Sequence, residues 1–289
     1  MFSWVRRMER ASVVDPVANH PAHAGDDQVQ ALRQSSTTAP DVLKFLSFNI
    51  QVGIKTTAYR QYLTKGWKHL LPHIDRARNL QRIAHIIREY DVVGLQEVDG
   101  GSIRSGFINQ VEFLSQVAGF PYWYAQLNRD LGPIAQHGNG LLSRIAPNNL
   151  EDHKLPGMIP GRGAMFLRLP FADSEMMVVM MHLSLGERSR RYQLAYIAEC
   201  LADEPNVVVM GDMNTQAVQL LETSPLRDLN LACGCDQTPT YPSWQPRTAL
   251  DHILVSPNLS IRDFQVLDCQ LSDHLPIAVE VAAVPPTLQ

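Results

Sequence analysis

The stretch that most constrains this chain is residues 206–215, written Asn-Val-Val-Val-Met-Gly-Asp-Met-Asn-Thr. Four apolar residues, Val207 to Met210, run unbroken into Gly211, Asp212, Met213 and Asn214. Such a run fits a strand buried on both faces and ended by a glycine turn. If the extension continues, Asp212 and Asn214 point the same way, because strand side chains alternate. A carboxylate and an amide aimed together at the rim of a buried strand are the parts of a site that positions water or metal. The same residues also suit a polar turn closed by an Asx bond. The rest of the chain decides between them.

A strand covered on both faces needs layers around it, which 289 residues can supply as one large α/β domain or two small ones. Residues 1–40 carry no sustained period and are broken by Asp15-Pro16, His20-Pro21 and Gly25-Asp26-Asp27. They read as a flexible extension, with a single domain expected over 41–289. Order begins with a strand at 42–48 that delivers Asn49, followed by an irregular aromatic stretch at 53–73. A helix comes next, with Asp75 as its N-cap and Leu80, Ile83, Ala84 and Ile87 on one face. Residues 91–96 read as a buried strand ending at Glu97, and a short helix through Val111, Leu114 and Ala118 closes at Gly119. Strands are expected at 122–127, 140–142, 163–169 and 176–181, the last delivering His182. A helix over 188–202 leads into the strand at Val207. Strands at 249–255, 261–267 and 277–281 complete the set, the first carrying Asp251 and His252. Hairpin-like pairs mixed with crossovers argue one α/β domain with mixed sheets.

Lys and Arg number 25 against 29 Asp and Glu, a formal charge of −4, so no global basic field gathers nucleic acid. A local basic groove remains compatible with that balance. Four cysteines, Cys200, Cys233, Cys235 and Cys269, make no CxxC pair, and reduced thiols in a cytoplasmic protein are the simplest account. No run approaches the eighteen or so apolar residues of a membrane span, so no stable membrane insertion is expected. The basic start, residues 1–10, lacks the apolar stretch of a secretory signal and reads as a frayed tail.

Polar residues recur at the ends of the apolar runs: Asn49, Glu97, Asn139, His182, Asp212, Asn214, Asp251 and the pair Asp273-His274. Each alone is ordinary turn chemistry. Together they hold four carboxylates and two imidazoles. If they converge, Glu97, Asp212, Asp251 and Asp273 need a cation to relieve their repulsion. Oxygen donors suit a hard ion, Mg²⁺ or Mn²⁺, rather than a dedicated zinc site. The histidines are then better placed to touch a phosphate or to move protons.

Ser47-Phe48-Asn49-Ile50, Leu95-Gln96-Glu97-Val98, Gly138-Asn139-Gly140, Met181-His182-Leu183, Gly211-Asp212-Met213-Asn214, Leu250-Asp251-His252 and Ser272-Asp273-His274-Leu275-Pro276 follow one another in this order. Over about residues 43–281 the set resembles the endonuclease/exonuclease/phosphatase superfamily of deoxyribonuclease I-like and exonuclease III-like hydrolases. The resemblance implies a four-layer α/β/β/α sandwich, two mixed β-sheets packed face to face with helices outside. It also implies hydrolysis of phosphoester bonds with Mg²⁺ or Mn²⁺. By motif, Glu97 is the chief metal ligand, with Asn49 and Asp273 close to the ion. Asp212 would orient or deprotonate the attacking water, and Asn214 would fix that water or a phosphate oxygen. His274, paired with Asp251, and His182 would contact the phosphoryl oxygens, as would Asn139. A member serving only as a binding scaffold would have lost one of Glu97, Asp212, Asn214, Asp273 or His274, and none is lost.

The subclass is read from details. Abasic-site endonucleases of the family tend to follow the metal glutamate with Thr and Lys, where this chain has Val98 and an acidic Asp99. Inositol-polyphosphate phosphatases carry a Cys-Asp-Arg block where this chain has Leu250-Asp251-His252. The Gln-Glu-Val-Asp form and Tyr241-Pro242-Ser243-Trp244 look like the broad bacterial group that includes sphingomyelinase-like phosphodiesterases. The leading expectation is a phosphodiesterase of nuclease type, with a phospholipid phosphodiesterase or a small-molecule phosphatase as the alternative. The substrate partner is accordingly a nucleic acid, a phospholipid or a small phosphodiester, and a monomer is expected. Arg144, Arg162 and Arg188 are among the cations available for an anionic substrate, with Arg188-Ser189-Arg190-Arg191 placed to steer phosphate. Trp244 could stack on a base or pack on a lipid head group. A solvated helix face and plain loop packing are the competing accounts of these last two.

Overall fold

Apolar runs without a polar face become central strands of two packed sheets. The computed structural model describes residues 12–13, 39–53, 74–130, 133–134, 136–158, 160–234 and 238–284. In chain order its strands are β1 (Ser12–Val13), β2 (Val42–Asn49), β3 (Val92–Asp99), β4 (Tyr122–Asp130), β5 (Gln136–Ser143) and β6 (Asn149–Lys154). They continue with β7 (Gly163–Phe171), β8 (Ser174–His182), β9 (Val207–Asp212), β10 (Ala232–Cys233), β11 (Asp251–Val255), β12 (Leu259–Val266) and β13 (Ile277–Ala283). One sheet has the order β1-β6-β7-β8-β9-β11-β10 and the other β12-β13-β2-β3-β5-β4. Each sheet has one parallel pair, β8 with β9 and β2 with β3, and the remaining neighbours are antiparallel. A parallel pair needs a crossover, and helices supply it. α1 (Ile74–Ile87) lies between β2 and β3, α2 (Gln110–Ala118) follows β3, and α3 (Glu187–Leu201) lies between β8 and β9.

Period-two alternation sorts the side chains into three apolar layers. Val178, Met180, Val208 and Met210 of the first sheet meet Phe45, Val92 and Leu141 of the second between the sheets. Their sequence neighbours Val179, Met181, Val207 and Val209 face Leu194, Ile197 and Leu201 of α3. Leu46, Phe48, Val93 and Leu95 turn the other way, onto Leu80, Ile83 and Ile87 of α1 and Leu114 of α2. The result is the four-layer α/β/β/α sandwich that the motif order implied.

Local chemistry sets the boundaries. Asn109 caps α2 by accepting from the Val111 and Glu112 amides, and Gly119 ends it in the left-handed region. Asp75 stands inside the first turn of α1 rather than at its N-cap, since the helix begins at Ile74. β6 was not expected, because Asn-Leu-Glu-Asp-His-Lys shows little apolar signal; it lies near the sheet edge with only Leu150 and His153 buried. Ser12 and Val13, within the segment read as an extension, pair with Asp152 and Glu151 and form that edge. Most of that segment, and the aromatic residues of 54–73, lie outside the described residues. Cys233 is disulfide-bonded, while Cys200 and Cys269 are not. The all-thiol expectation is therefore corrected: sequence spacing alone does not report redox state. Among the described residues no helix is long and apolar enough to cross a membrane.

Gly211 is the tightest point of the first sheet. Its φ is +146°, and a Cβ there would lie 1.9 Å from the Met181 carbonyl oxygen of the neighbouring strand. Glycine alone fits both constraints. Gly211→Ala is expected to lower the urea-unfolding free energy by about 3 kcal/mol or to prevent soluble expression. Gly186→Ala, where a Cβ would meet nothing within 4 Å, is the control. It is expected to shift stability by less than about 1 kcal/mol.

Candidate active site

The polar strand-tip residues share one property that places them together. Asn49 continues the side-chain parity of Leu43 and Phe45, His182 that of Val178 and Met180, and Asp212 that of Val208 and Met210. Asp251 and Asn139 do the same for Ile253 and Leu141. Each therefore points into the seam between the sheets, beyond the last apolar residue, with Ser47 standing between Phe45 and Asn49. All five are buried. The seam changes from oil to polar chemistry at a single end.

Asp212 is the hub. Its Oδ2 accepts a 3.0 Å hydrogen bond from Asn49 Nδ2, which joins the two sheets. His182 Nε2 lies 3.4 Å and His274 Nε2 3.8 Å from the same oxygen. Oδ1 accepts the Asn214 amide at 3.1 Å, so the Asx turn and the strand-end site are both present. Asn214 takes a φ of +50° and donates its Nδ2 to the Leu183 carbonyl at 2.9 Å. It leaves the strand path rather than extending it.

His274 Nδ1 lies 2.8 Å from Asp251 Oδ2, which also accepts Thr240 Oγ1 at 2.6 Å. Two neighbouring contacts clamp the segment that carries Asp273 and His274. Ser243 donates its amide to the Asp273 carbonyl at 2.7 Å and its hydroxyl to the Ser272 carbonyl at 2.6 Å. From α1, Asn79 Nδ2 holds the Leu271 carbonyl at 2.6 Å. The Tyr241 ring stands 4.9 Å from the His274 ring. Sequence reasoning missed Thr240, Ser243 and Asn79, because hydroxyls and amides in loops look alike until their partners are seen.

Glu97 reaches the site through a defect in β3. Gln96 pairs with Asn139 and Val98 with Gly138, so Glu97 is an inserted residue, and its φ is +55°. Regular alternation would turn it to the helix side with Val93 and Leu95. The bulge re-aims it. Asp99, counted as an acidic neighbour of the site, instead accepts the Gly101 amide, the Ser102 amide and hydroxyl, and the Ser105 hydroxyl, which orders the loop after β3.

Burial pushes His182 down to about 3, aided by Arg162 and His274 and opposed by Asp212, so the ring is neutral at pH 7. Burial acts against protonation of His274 too, but Asp251 and Asp212 outweigh it and hold that imidazole well above the usual histidine range. One neutral and one cationic imidazole thus flank Asp212. Burial, with Glu97 adding its charge, pushes the Asp273 carboxyl up to about 6, against the pull of His274 and Ser272.

A cleft of about 610 Å³ opens beside this cluster, with Glu97, Asn139, His182, Arg129, Arg162 and Leu185 in its walls. Asn139 Nδ2 is held by Gln126 Oε1 at 3.0 Å and the Gly163 carbonyl at 3.3 Å. Arg144 is not part of the site. Its guanidinium bonds the carbonyls of Tyr90, Gly119, Arg88 and Ala118, where α1 and α2 end, and stacks on Phe120 at 4.6 Å. A cation there answers the exposed carbonyls and negative ends of two helices. Arg188 is exposed on the first turn of α3 and does not line the cleft; Ser184, Leu185 and Gly186 just before it do. Trp244 is half-buried, next to the clamping Ser243, and outside the cleft walls. Arg129 was missed, since it follows the expected end of its strand and has no motif around it.

With this geometry in hand, the model of the Endonuclease/Exonuclease/phosphatase family matches residues 46–274. The curated Escherichia coli (strain K12) protein YbhP, itself named as uncharacterized, is 27% identical over 261 residues, covering 82% of this chain and 95% of its own length. The crystal structure of an endonuclease/exonuclease/phosphatase from Beutenbergia cavernae superposes with a TM-score of 0.68 at 20% identity, covering 86% of this chain and 73% of that one. A Bacteroides thetaiotaomicron protein described as mannosyl-6-phosphatase Bt3783 superposes at 0.62 with 15% identity, covering 83% and 99%.

The displaced role of Arg144 is directly measurable. Arg144→Ala is expected to lower the urea-unfolding free energy by about 1–2 kcal/mol, the loss of charge-assisted bonds to exposed and partly buried carbonyls. Arg188→Ala is expected to stay within about 0.5 kcal/mol of the parent.

Proposed function

This chain belongs to the endonuclease/exonuclease/phosphatase family, a phosphoesterase family, and on that premise we propose that it is a divalent-metal-dependent hydrolase that cleaves phosphoester bonds by in-line attack of water. The observation that carries this reading is the setting of Asp212, fixed by Asn49 and Asn214 and flanked by one neutral and one cationic imidazole, with Glu97 in the wall of the adjoining cleft and its charge felt by Asp273.

Members of the family are generally divalent-metal dependent, and the residues fit such an ion. Asp273 is a buried carboxyl beside the Glu97 charge, and the pair offers oxygen donors of the kind a hard cation takes. Glu97 and Asp273 would hold it, with Asn49 at the edge: Asn49 Nδ2 is committed to Asp212, and its Oδ1 already accepts the Gln51 amide at 3.2 Å. When bound, Mg²⁺ or Mn²⁺ supplies Lewis-acid polarisation of a phosphoryl oxygen. Asp212, Asp251 and His274 also bring donor atoms within 4.8 Å of one another. His274 is hydrogen-bonded to Asp251 through Nδ1, which leaves its Nε2 facing Asp212.

The chain's own groups perform the rest. Asp212 orients the attacking water and receives its proton. His274, kept cationic by Asp251, faces the negative charge that builds on the non-bridging oxygens, and neutral His182 contributes a hydrogen bond. Asn139 and Asn214 restrict how the phosphoryl group sits.

A second reading concerns size. The cleft is a local hollow with two arginines, Arg129 and Arg162, in its walls rather than a cationic groove along a polymer backbone. That favours a small phosphoester over duplex nucleic acid.

The test is release of p-nitrophenol from bis-p-nitrophenyl phosphate with Mg²⁺ or Mn²⁺, before and after chelation. Asp212→Ala and Glu97→Ala are each expected to cost about 10³-fold in kcat, with the thermal transition retained. Turnover that is metal-independent, or untouched by both changes, overturns the assignment. Plasmid DNA, choline phospholipid vesicles and small phosphate monoesters, assayed in parallel, are expected to show the small esters as the best substrates.

A further inference from the structure

Arg129 at the end of β4 and Arg162 in the loop before β7 both line the cleft. Gly161 brings them together. Its φ of +107° folds the loop against β4, where a Cβ would lie 3.2 Å from the Asn128 carbonyl oxygen and 3.5 Å from Arg129 Cβ. Burial first, and then the Arg129 charge, push Arg162 below the usual arginine range, while Asp212 and Glu97 oppose that shift. Among the described residues neither guanidinium has a hydrogen bond or an ion pair. Among the described residues, Arg190 on α3 is spent on the carbonyls of Ser184 and Leu185.

The carboxylates close to Arg162 already have partners. Asp212 is answered by Asn49 and the two imidazoles, and Glu97 with Asp273 is the proposed seat of the metal. Arg129 is exposed and Arg162 partly buried on the same cleft wall, and their like charges repel until an anion lies between them. A hollow of about 610 Å³ is larger than one phosphoryl group requires. Exposed Met158 and Leu185 form an apolar part of its wall, able to cover the carbon skeleton of a bound molecule.

We infer that Arg129 and Arg162 form a second anion subsite, so that the preferred substrate is a small phosphoester bearing a further phosphate group beside the scissile one. This rests on reading the site as a phosphoester hydrolase, and the two claims are separable. In metal-free calorimetry the probes are inorganic orthophosphate and pyrophosphate. The parent protein is expected to bind pyrophosphate about tenfold more tightly than orthophosphate, a bidentate guanidinium contact on the second phosphate. Arg129→Gln is expected to bring the two within about twofold, with Arg129→Lys between them. Equal affinities in the parent, or a ratio untouched by Arg129→Gln, overturns the subsite; if that variant does not fold, the same ratio measured on Arg129→Lys decides.

The second arm compares two chromogenic esters with Mg²⁺, p-nitrophenyl thymidine 5′-phosphate and the same compound carrying a 3′-phosphate. The bisphosphorylated ester is expected to have about tenfold higher kcat/KM, through KM, and Arg129→Gln to erase the difference. Equal kcat/KM for both esters overturns the subsite while upholding the hydrolase. Hydrolysis of neither ester overturns the hydrolase reading, and the calorimetry then decides the subsite alone.

Discussion

The structure turns on one hydrogen bond between the sheets, from Asn49 Nδ2 to Asp212 Oδ2 at 3.0 Å. It is made where the apolar seam ends, with both partners on the same side-chain parity as the core behind them. A buried carboxylate is costly unless every lone pair is answered. Asp212 meets that condition in part, through hydrogen bonds from Asn49 and the Asn214 amide and the nearby imidazoles, which leaves an acceptor position for a water. The strands of both sheets must end together for those partners to converge. Packing and site geometry are therefore one constraint: slipping β2 by one residue against β3 and β13 would flip Asn49 away from the seam.

Charge is arranged asymmetrically around that hub. Two imidazoles of similar burial hold opposite protonation states because only His274 has Asp251 behind it. Burial dominates His182; carboxylates dominate His274. On the far side, Glu97 arrives by a bulge and lies beside Asp273, a concentration of negative charge that suits a hard cation. Arg129 and Arg162 add positive charge on the cleft wall. The site thus presents a sequence of electrostatic seats, for a cation, for a phosphoryl group and for a further anion.

Much of the frame could be read from residue order. The run Val207–Met210 required cover on both faces, and β9 has it. The strand ends at Asn49, His182 and Asp212 are where alternation and turn signals put them, while β11 begins at Asp251, two residues later than expected. The strand β6, next to the sheet edge, was illegible because a half-exposed strand need not alternate clearly. Arg144 looked like a substrate cation, and its use at two helix ends could not be seen without knowing that α1 and α2 finish side by side. Asp99 stood out as an acidic departure from the Thr-Lys pattern, and it is wholly buried as the anchor of a loop.

The sequence by itself determined which chemistry is available: the acids, amides and imidazoles, their order, and the apolar strands that carry them. It did so because periodicity and turn chemistry are local properties of the chain. Only the tertiary structure decided which of those groups meet. The inward aim of Glu97 depends on a register shift against β5, and the pairing of Arg129 with Arg162 on a glycine turn packed against another strand. The split between His182 and His274 depends on one carboxylate from β11. Each is a contact between segments distant in sequence, and no local pattern encodes such a contact.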